Sequence, residues 1–307
     1  MAGELLVIVG PTASGKTELA IRLAEALGGE IISADSVQVY RHFEIGTGKP
    51  SADERARARH HLIDVVEPSE AMDAARWAGL ADDAIRVVRG RGKRPIVCGG
   101  TFLWVRALLF GLAEAPPADP AIRERHREWA ERDGRSALHE ALAKLDPPSA
   151  ERLNPNDLIR VSRALEVYEL SGVPLSAWQE RHAFRTVRHP SRMLGIRHEP
   201  DDLDLRMARR VEAMLAAGWV DEVRALIESG YAGARAMRSV GYKQIADALG
   251  RGAIDQPTLS EAIYRATRVF GRRQRTWLRD ESVTWLDADF ALASSARDVI
   301  CRLRLED

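Results

Sequence analysis

One stretch of eight residues near the start of the chain constrains its fold and chemistry more than any other feature. It reads Gly10-Pro11-Thr12-Ala13-Ser14-Gly15-Lys16-Thr17 and matches the phosphate-loop pattern G-x-x-x-x-G-K-[ST] at every position. The apolar run from Leu5 to Val9 is typical of a buried strand, and residues 18–27 have helical periodicity. Because the motif requires a strand, a glycine loop and a helix in this order, we expect residues 10–17 to bind a phosphate or a diphosphate.

The residue types in this loop suit that role. Glycines let backbone N–H groups close around phosphate oxygens, and the N-terminus of the following helix adds its dipole. Lys16 brings a positive charge to the same oxygens, and the Thr17 hydroxyl can ligate Mg²⁺. The loop therefore predicts that a phosphate group is held here, but it does not predict what reaction follows.

Composition limits the class of protein. With 307 residues, 45% of them hydrophobic and 29% charged, the chain is typical of a globular protein with a sizeable core. The 45 basic and 45 acidic residues balance, so the overall charge gives no sign of a nucleic-acid partner. Cys98 and Cys301 form no disulfide framework, and no apolar run is long enough to span a membrane. We therefore expect a cytoplasmic protein without a signal peptide.

The order of the predicted elements indicates an α/β fold. Apolar segments typical of strands alternate with helical patterns, at residues 5–9, 30–33, 60–66, 95–98, 192–196 and 283–286. A proline-rich break at residues 115–120 precedes an all-helical stretch up to about residue 176. We predict a doubly wound parallel sheet like that of P-loop NTPases, formed by residues 1–115 and 191–307, with an all-helical insertion at residues 116–190.

Two polar residues follow predicted strands at the edge where such sheets bind ligands. Asp35 comes directly after the second strand, and Thr101 follows Gly99-Gly100 after the fourth. A simple helix cap is the alternative role for Thr101. The pair His60-His61 has no other metal-ligating residues nearby, and neighbouring strand residues point to opposite faces, so we expect a structural role for it.

A basic helix near the end of the chain is the strongest local sign of a polyanionic partner. The capping-box pattern from Thr258 to Glu261 predicts where this helix begins. One face carries five arginines with no acidic residue among them, and a different face is predicted to be apolar. The basic face is formed by Arg265, Arg268, Arg272, Arg275 and Arg279, and the apolar one by Ile263, Ala266, Phe270 and Trp277. A solvated face that binds nothing is the alternative.

These residues leave two enzymatic readings open. In the first, the loop holds ATP and a phosphoryl group moves to a small acceptor, with Asp35 as the base. In the second, the diphosphate is a leaving group, and its carbon substituent moves to a nucleophile whose proton Asp35 accepts. The basic helix and the insertion favour the second reading, with a nucleic acid as the acceptor. An RNA-binding NTPase that uses the loop as a switch is a third reading.

Several segments together resemble the bacterial tRNA dimethylallyltransferases. The matching segments occur in the same order along nearly the whole chain, and their combination is highly specific. The segments are GPTASGKT from Gly10, DSVQVY from Asp35, GTGKPS from Gly46, HHLID from His60, GGTFLWVRAL from Gly99, NDLIRVSRALEVYELSG from Asn156, VGYKQI from Val240 and RRQRTWLR from Arg272.

The resemblance implies transfer of the dimethylallyl group from dimethylallyl diphosphate to N6 of adenosine 37, on the 3′ side of the anticodon in tRNA. It implies Asp35 as the base, and Lys16, Arg206 and Mg²⁺ held by Thr17 as the groups that neutralise the departing diphosphate. Thr101 would hydrogen-bond a bridging or leaving oxygen. The partners would be the tRNA anticodon stem-loop and dimethylallyl diphosphate, and we expect a monomer. The family resembles nucleotide kinases, so ATP stays open as a ligand of the loop.

The resemblance also implies an RNA-binding surface, with the helical insertion clamping the anticodon stem-loop. Its residues would be Asp35, Ser36, Val37, Gln38, Thr101, Arg123, Ile159, Arg160, Val161, Ser162, Arg163, Ser239, Val240, Gly241, Tyr242, Lys243, Arg268, Arg272, Arg273, Gln274 and Arg275. The alternatives within enzymes are a dimethylallyltransferase acting on free adenylate and, more distantly, a small-molecule kinase.

Overall fold

The computed structural model describes residues 3–252 and 254–305, and the chain divides into two compact units. The larger unit comprises Met1–Leu109 and Arg188–Asp307, and the smaller one comprises Phe110–Val187. The junctions between the units lie at residues 109/110 and 187/188, a few residues before the positions 115/116 and 190/191 that we expected. The tRNA-binding role of the smaller unit stays a prediction.

The larger unit is built on a parallel sheet of six strands. The order across the sheet is β3-β2-β4-β1-β5-β6, and each neighbouring pair is parallel. The chain fills one side of β1 first and the other side later, which confirms the predicted doubly wound sheet. The strands are β1 (Leu5–Val9), β2 (Gly29–Ala34), β3 (His60–His61), β4 (Arg94–Gly99), β5 (Ser191–Arg197) and β6 (Val283–Asp287).

The larger unit also contains helices, and helices are the whole regular structure described for the smaller unit. They are α1 (Lys16–Leu27), α2 (Ala52–Arg57), α3 (Ala74–Gly90), α4 (Phe102–Phe110), α5 (Pro120–Asp133), α6 (Arg135–Leu145), α7 (Pro147–Arg152), α8 (Leu158–Ser171), α9 (Leu175–His182), α10 (Pro200–Ala216), α11 (Trp219–Glu228), α12 (Tyr242–Gly250), α13 (Gln256–Leu278), α14 (Ala288–Ala293) and α15 (Ala296–Leu303), with a 3₁₀ turn at Arg235–Arg238. None of the described helices combines the length and apolar character that crossing a membrane requires.

The main core lies around the central strand. Ile8 of β1 and Leu19 and Leu23 of α1 are fully buried, and Val299 of α15 packs in the same cluster. Burying one such side chain contributes roughly 2 kcal/mol to stability. This packing fixes α1 against the sheet, and so fixes the phosphate loop that joins β1 to α1.

The smaller unit has its own core, and Asp146 and Glu166 are buried carboxylates within it. Leu138, Leu142 and Leu165 pack together in this core. Glu166 of α8 is fully buried and accepts hydrogen bonds from Arg163 at 2.6 Å and from Arg123 at 2.8 and 2.9 Å. A buried carboxylate requires such partners, so these two arginines stabilise the unit.

The strand predicted at residues 60–66 is wrong beyond its first two residues, because β3 covers only His60–His61. Leu62 and Asp64 have φ angles of 62° and 58°, in the left-handed region that strands do not use. The Asp64 carboxylate forms an ion pair with the buried Lys49 ammonium. This polar contact and the left-handed backbone end the strand despite the apolar sequence that follows.

The predicted start of the basic helix is also wrong. Helix α13 begins at Gln256, and the Asp255 side chain is its N-cap, accepting the N–H of Thr258 at 3.1 Å. Thr258 therefore lies inside the first turn. Proline is well tolerated at the second helical position, which Pro257 occupies, because its missing N–H would have no partner there.

The apolar face predicted for α13 coincides only in part with the side of the helix that is buried. Phe270 and Trp277 are each 40% exposed, whereas the buried side is formed by Leu259, Ile263, Thr267, Gly271, Gln274 and Leu278. A Cβ at Gly271 would lie 2.5 Å from the Met207 side chain, so this helix packs closely on α10. The close contact turns the small and polar residues inward and leaves Phe270 at the surface.

Candidate active site

The phosphate loop has the geometry that an anion-binding loop requires. Gly15 adopts a φ of 88° directly before α1, and this left-handed conformation is readily available only to glycine. A Cβ at this position would also lie 2.7 Å from a methyl carbon of Leu292. Lys16 begins the helix, and its Nζ donates to the Pro11 carbonyl at 3.3 Å, so the ammonium group lies over the loop.

Side chains from the second half of the chain hold this loop in place. Arg206 Nε donates to the Ala13 carbonyl at 2.9 Å, and His198 Nε2 donates to the Ser14 carbonyl at 2.8 Å. We expected Arg206 at the leaving group, but it is not among the described residues that line the cavity. The structure places it against the backbone of the loop instead.

A cavity of about 410 Å³ opens beside the phosphate loop and unites most of the predicted catalytic residues. Lys16 and Thr17 line it from the loop, and Asp35 and Thr101 line it from the ends of β2 and β4. This is the carboxyl edge of the sheet, where ligands bind in open α/β folds. Ala20, Ile31, Val211 and Met214 contribute apolar surface to the same cavity.

Asp35 is oriented by the backbone that follows it. Its Oδ1 accepts the N–H groups of Val37 at 2.9 Å and Gln38 at 3.2 Å. No hydrogen bond within the described part of the chain reaches its Oδ2. The carboxylate is therefore fixed through one oxygen and keeps the other available to accept a proton.

Thr101 is joined to the same turn. Its Oγ1 accepts the N–H of Ser36 at 3.0 Å and lies 3.3 Å from the Ser36 hydroxyl, to which it donates. Its backbone N–H donates to the Ala34 carbonyl at 3.1 Å. The hydroxyl thus links the ends of β2 and β4 and makes no capping bond to α4, although the Thr101 carbonyl accepts the N–H of Trp104 at 2.9 Å at the start of that helix.

Lys16 and Arg210 are two of the cations that give the cavity an excess of positive charge. Burial lowers the pKa of Lys16, and Arg210 lowers it further, against the opposing charge of Asp35. Burial likewise lowers the pKa of Arg210, against the charges of Asp35 and Glu54. Arg210 has no hydrogen bond or ion pair to any residue that the structure describes. Two desolvated cations near one carboxylate favour the binding of an anion.

Burial also raises the pKa of the Cys98 thiol to about 11. This thiol lies under the loop and donates weakly to the Lys16 carbonyl at 3.7 Å. It therefore stays neutral near pH 7 and behaves as a small buried residue.

A loop after β2 forms one wall of the cavity. Gln38 Nε2 donates to the carbonyls of Thr47 and Gly48 at 3.3 and 3.1 Å, and Glu222 Oε2 accepts the N–H of Ile45 at 2.6 Å. Gly48 has a φ of 58°, and a Cβ there would lie 1.8 Å from a terminal nitrogen of Arg210. Only a glycine lets this wall approach the Arg210 guanidinium so closely.

The residues predicted to contact RNA fall into two groups. One group is buried: Val161, Ser162, Gly241, Tyr242 and Gln274. The Tyr242 hydroxyl donates to Glu222 Oε1 at 2.5 Å, and burial beside this carboxylate raises the pKa of Tyr242. Val161, Ser162, Gly241 and Tyr242 can act on RNA only by positioning other residues, whereas Gln274 also lines the cavity.

The other group lies at the surface or lines the cavity. Ile159 is 79% exposed, an unusual fraction for an isoleucine in a folded unit, and Arg160 beside it is exposed. Arg123 and Arg163, by contrast, are held by the buried Glu166 carboxylate. The accessible members from the larger unit are Ser36, Val37, Ser239, Val240, Lys243, Arg268, Arg272, Arg273 and Arg275.

Sequence reasoning missed Arg210, Trp219 and Arg238 as lining residues of the cavity. A signal was present for the first, because Arg210 lies four positions after Arg206 and so shares its helix face. Only Arg206 was assigned a role. Nothing comparable marks Trp219, whose ring lies against Gly46 because a loop distant in sequence packs there.

The donors in the cavity fit a small divalent cation. The Thr17 hydroxyl and the Asp35 carboxylate are oxygen ligands of the kind that Mg²⁺ prefers. In the described residues no three His, Cys, Asp or Glu side chains cluster as a metal cage. Such an ion would therefore be held by few protein oxygens together with oxygens of the substrate, as is usual for Mg²⁺ at phosphate sites.

Comparison with known proteins identifies the family of this chain. A profile of the IPP transferase family matches residues 38–281. The chain belongs to this family. The match includes Asp64, Thr101 and Arg210 but begins after the phosphate loop and Asp35. Relatives that cover more than nine tenths of the chain therefore add support for the assignment to the family.

The tRNA dimethylallyltransferase of Sorangium cellulosum is 60% identical over 92% of this chain and 90% of its own length. That of Anaeromyxobacter dehalogenans is 50% identical over 97% of both chains. Both relatives extend the similarity well beyond the residues of the profile.

Solved structures agree. The full-length tRNA isopentenylpyrophosphate transferase of Bacillus halodurans superposes with a TM-score of 0.72 and 34% identity, covering 98% of this chain and 96% of that one. A eukaryotic dimethylallyltransferase acting on tRNA gives a TM-score of 0.81 and 26% identity, covering 98% of this chain and 79% of that one.

Proposed function

We propose that this member of the IPP transferase family transfers the dimethylallyl group of dimethylallyl diphosphate to N6 of adenosine 37 in tRNA and releases diphosphate. The observation that carries the proposal is the position of Asp35. Its anchored carboxylate lies in the same cavity as the phosphate loop, Lys16 and the unpaired Arg210. A base and a diphosphate cradle in one cavity suit an alkyl transfer with an anionic leaving group.

Asp35 is the base in this proposal. The exocyclic amine of adenine is a weak nucleophile, because its lone pair is delocalised into the ring. As the new C–N bond forms, the amine proton moves to Oδ2 of Asp35, while the Val37 and Gln38 amides hold Oδ1 in place. The C–O bond to diphosphate breaks in the same reaction, so the charge that develops is on the leaving group.

Lys16 and Arg210 stabilise that leaving group. Both are cations whose pKa is lowered because burial removes the water that stabilises their charge. A bound diphosphate stabilises that charge in place of the water. When bound beside Thr17, Mg²⁺ would neutralise further negative charge on the diphosphate. The Thr101 hydroxyl can rotate from Ser36 toward a departing oxygen. Arg206 and His198 keep the loop in its binding conformation.

The RNA reaches this cavity by presenting the target base outside its stack, as base-modifying enzymes require. The accessible predicted residues, among them Arg272, Arg273 and Arg275, supply positive charge for the phosphates. In the smaller unit, exposed Ile159 and Arg160 are the candidates for contact with the anticodon stem-loop.

One assay separates this function from the alternatives. The protein is incubated with radiolabelled dimethylallyl diphosphate and Mg²⁺, and unmodified tRNA, AMP or ATP is offered as the acceptor. We expect label in tRNA alone, at N6 of adenosine 37. Label in AMP would instead indicate an adenylate dimethylallyltransferase, and consumption of ATP without prenyl transfer would indicate a kinase or a switch NTPase.

A further inference from the structure

Phe270 is an exposed aromatic side chain that the core does not explain. It lies on α13 and is 40% exposed. Val269 beside it is 48% exposed. The buried side of this helix consists of other residues, so the Phe270 ring contributes little to packing. An exposed ring at the edge of a functional cavity indicates a binding role.

The position of Phe270 is specific. It lines the transfer cavity, and it also lines a shallow groove of about 370 Å³ that opens beside that cavity. Like Phe270, Arg238, Val240 and Arg273 line both the cavity and the groove. The ring therefore stands at the mouth of the cavity, at the point where a bound chain would pass from the groove into the site.

The charge of the groove identifies the occupant. Arg238 and Arg273 have no hydrogen bond or ion pair with any residue that the structure describes, although both lie at the groove. Lys243 and Arg265 add two further cations, each paired with an acid on its own helix. No acidic residue is among the described residues that line the groove. An aromatic ring surrounded by cations fits an unpaired nucleotide, whose base stacks while its phosphate meets the arginines.

We propose that Phe270 is the stacking platform for the nucleotide next to the target adenosine in the RNA. When the target base leaves the stack and enters the cavity, its neighbour loses a stacking partner. The Phe270 ring, placed at the mouth of the cavity, replaces that partner, while Arg238 and Arg273 hold the adjoining phosphates. This inference rests on the proposed function and names one subsite of it.

The test uses transfer kinetics with an anticodon stem-loop. Phe270→Leu keeps an apolar side chain but removes the ring, and we expect kcat/KM for the RNA to fall about tenfold, which is about 1.4 kcal/mol. The KM for dimethylallyl diphosphate should not change. Phe270→Tyr should restore transfer to within about twofold of the wild type, because a phenol ring also stacks.

A matched control is available on the same helix. Trp277 is equally exposed and lies on α13, but it lines neither the cavity nor the groove. The Arg106 guanidinium lies over its ring, 6.0 Å from the ring centroid. Trp277→Leu should therefore leave kcat/KM for the RNA unchanged. An equal loss in both variants would overturn the subsite, since general damage to α13 would explain it.

A direct readout places the fluorescent base 2-aminopurine on either side of the target adenosine. Its emission should be quenched on binding to the wild type and should stay high with Phe270→Leu. Normal transfer and equal quenching in that variant would overturn the subsite alone. Absence of transfer by the wild type to any RNA would overturn the proposed function, and this subsite with it.

Discussion

Gln274 and Thr12 lie at opposite ends of the sequence, yet the side-chain oxygen of Gln274 accepts the backbone N–H of Thr12 at 2.9 Å. The Nε2 of the same amide donates to the Gly100 carbonyl at 3.0 Å. Gln274 is buried, so both bonds are protected from water. One side chain of α13 thus joins the phosphate loop to the turn that carries Thr101.

We predict that Gln274→Leu destabilises the protein and lowers turnover, because two buried backbone groups lose their partners. Each unsatisfied group costs about 1–3 kcal/mol. Denaturant unfolding should show a loss of at least about 2 kcal/mol, and kcat should fall at least about tenfold as Lys16 and Thr101 lose their fixed separation.

Gln274→Glu separates the two bonds, because it keeps the acceptor for Thr12 but removes the donor to Gly100. It should be intermediate in unfolding free energy. A Gln274→Leu protein with wild-type stability and wild-type kcat would show that this amide does not position the two loops.

Arg210→Ala should lower kcat/KM for dimethylallyl diphosphate about 100-fold, because a desolvated cation no longer faces the departing charge. Arg209 is the matched control: it precedes Arg210 on α10 and is exposed, so Arg209→Ala should change kcat/KM less than twofold. Steady-state kinetics with varied donor would test both variants. Equal effects of the two substitutions would contradict a specific role of Arg210.

The phosphate loop and the approximate positions of most strands could be predicted from the sequence because both depend on local patterns. Gly15 is needed for one backbone conformation, and runs such as Leu5–Val9 are apolar wherever a parallel strand is buried on both faces. Asp35 and Thr101 could be placed together because the ends of parallel strands share one sheet edge.

The parts that could not be predicted depend on contacts distant in sequence. Phe270 is exposed while its neighbour Gly271 packs closely against Met207, and no periodicity in α13 reveals which side will meet α10. Likewise, Lys49 binds the Asp64 carboxylate and helps to end β3 early. Neither the resemblance nor the spacing distinguished Arg206, which holds the loop, from Arg210, which faces the cavity.

Asp35→Asn should reduce the transfer rate at least about 100-fold, since the amide keeps an oxygen for the Val37 and Gln38 N–H groups but cannot accept a proton. RNA binding should stay within about threefold of the wild type, because the turn is preserved. Single-turnover transfer and an RNA-binding titration measure the two quantities. Near-normal transfer would show that another group takes the amine proton.

Glu166 should make the smaller unit sensitive to acid. Burial raises the pKa of this carboxyl, but hydrogen bonds from Arg123, Arg163 and the Asp119 N–H outweigh burial, and the net pKa lies below the usual 4.5. A depressed pKa means that the stabilisation is fully present above the unfolded value near pH 4.5. It is lost as the pH falls through the lower folded value.

Glu166→Gln should cost about 3 kcal/mol at pH 7, because both arginines lose their buried partner. It should also flatten the dependence of stability on pH below 4.5. Urea unfolding at pH 7 and at pH 4 measures this difference. A variant whose stability falls with acid as steeply as the wild type would place the titrating group elsewhere.

Arg272→Ala should weaken tRNA binding in a manner that depends on salt. Arg272 is exposed and has no ion-pair partner in the described residues, so its charge is available to a phosphate. Loss of one such contact should reduce the slope of log Kd against log salt concentration by about 0.7 to 0.9, because fewer counterions are released on binding. Arg86, which lies on α3 and pairs with Asp83, serves as the control, and Arg86→Ala should leave the slope unchanged. An Arg272→Ala protein with the wild-type slope would place this arginine outside the RNA interface, even if its affinity at one salt concentration were reduced.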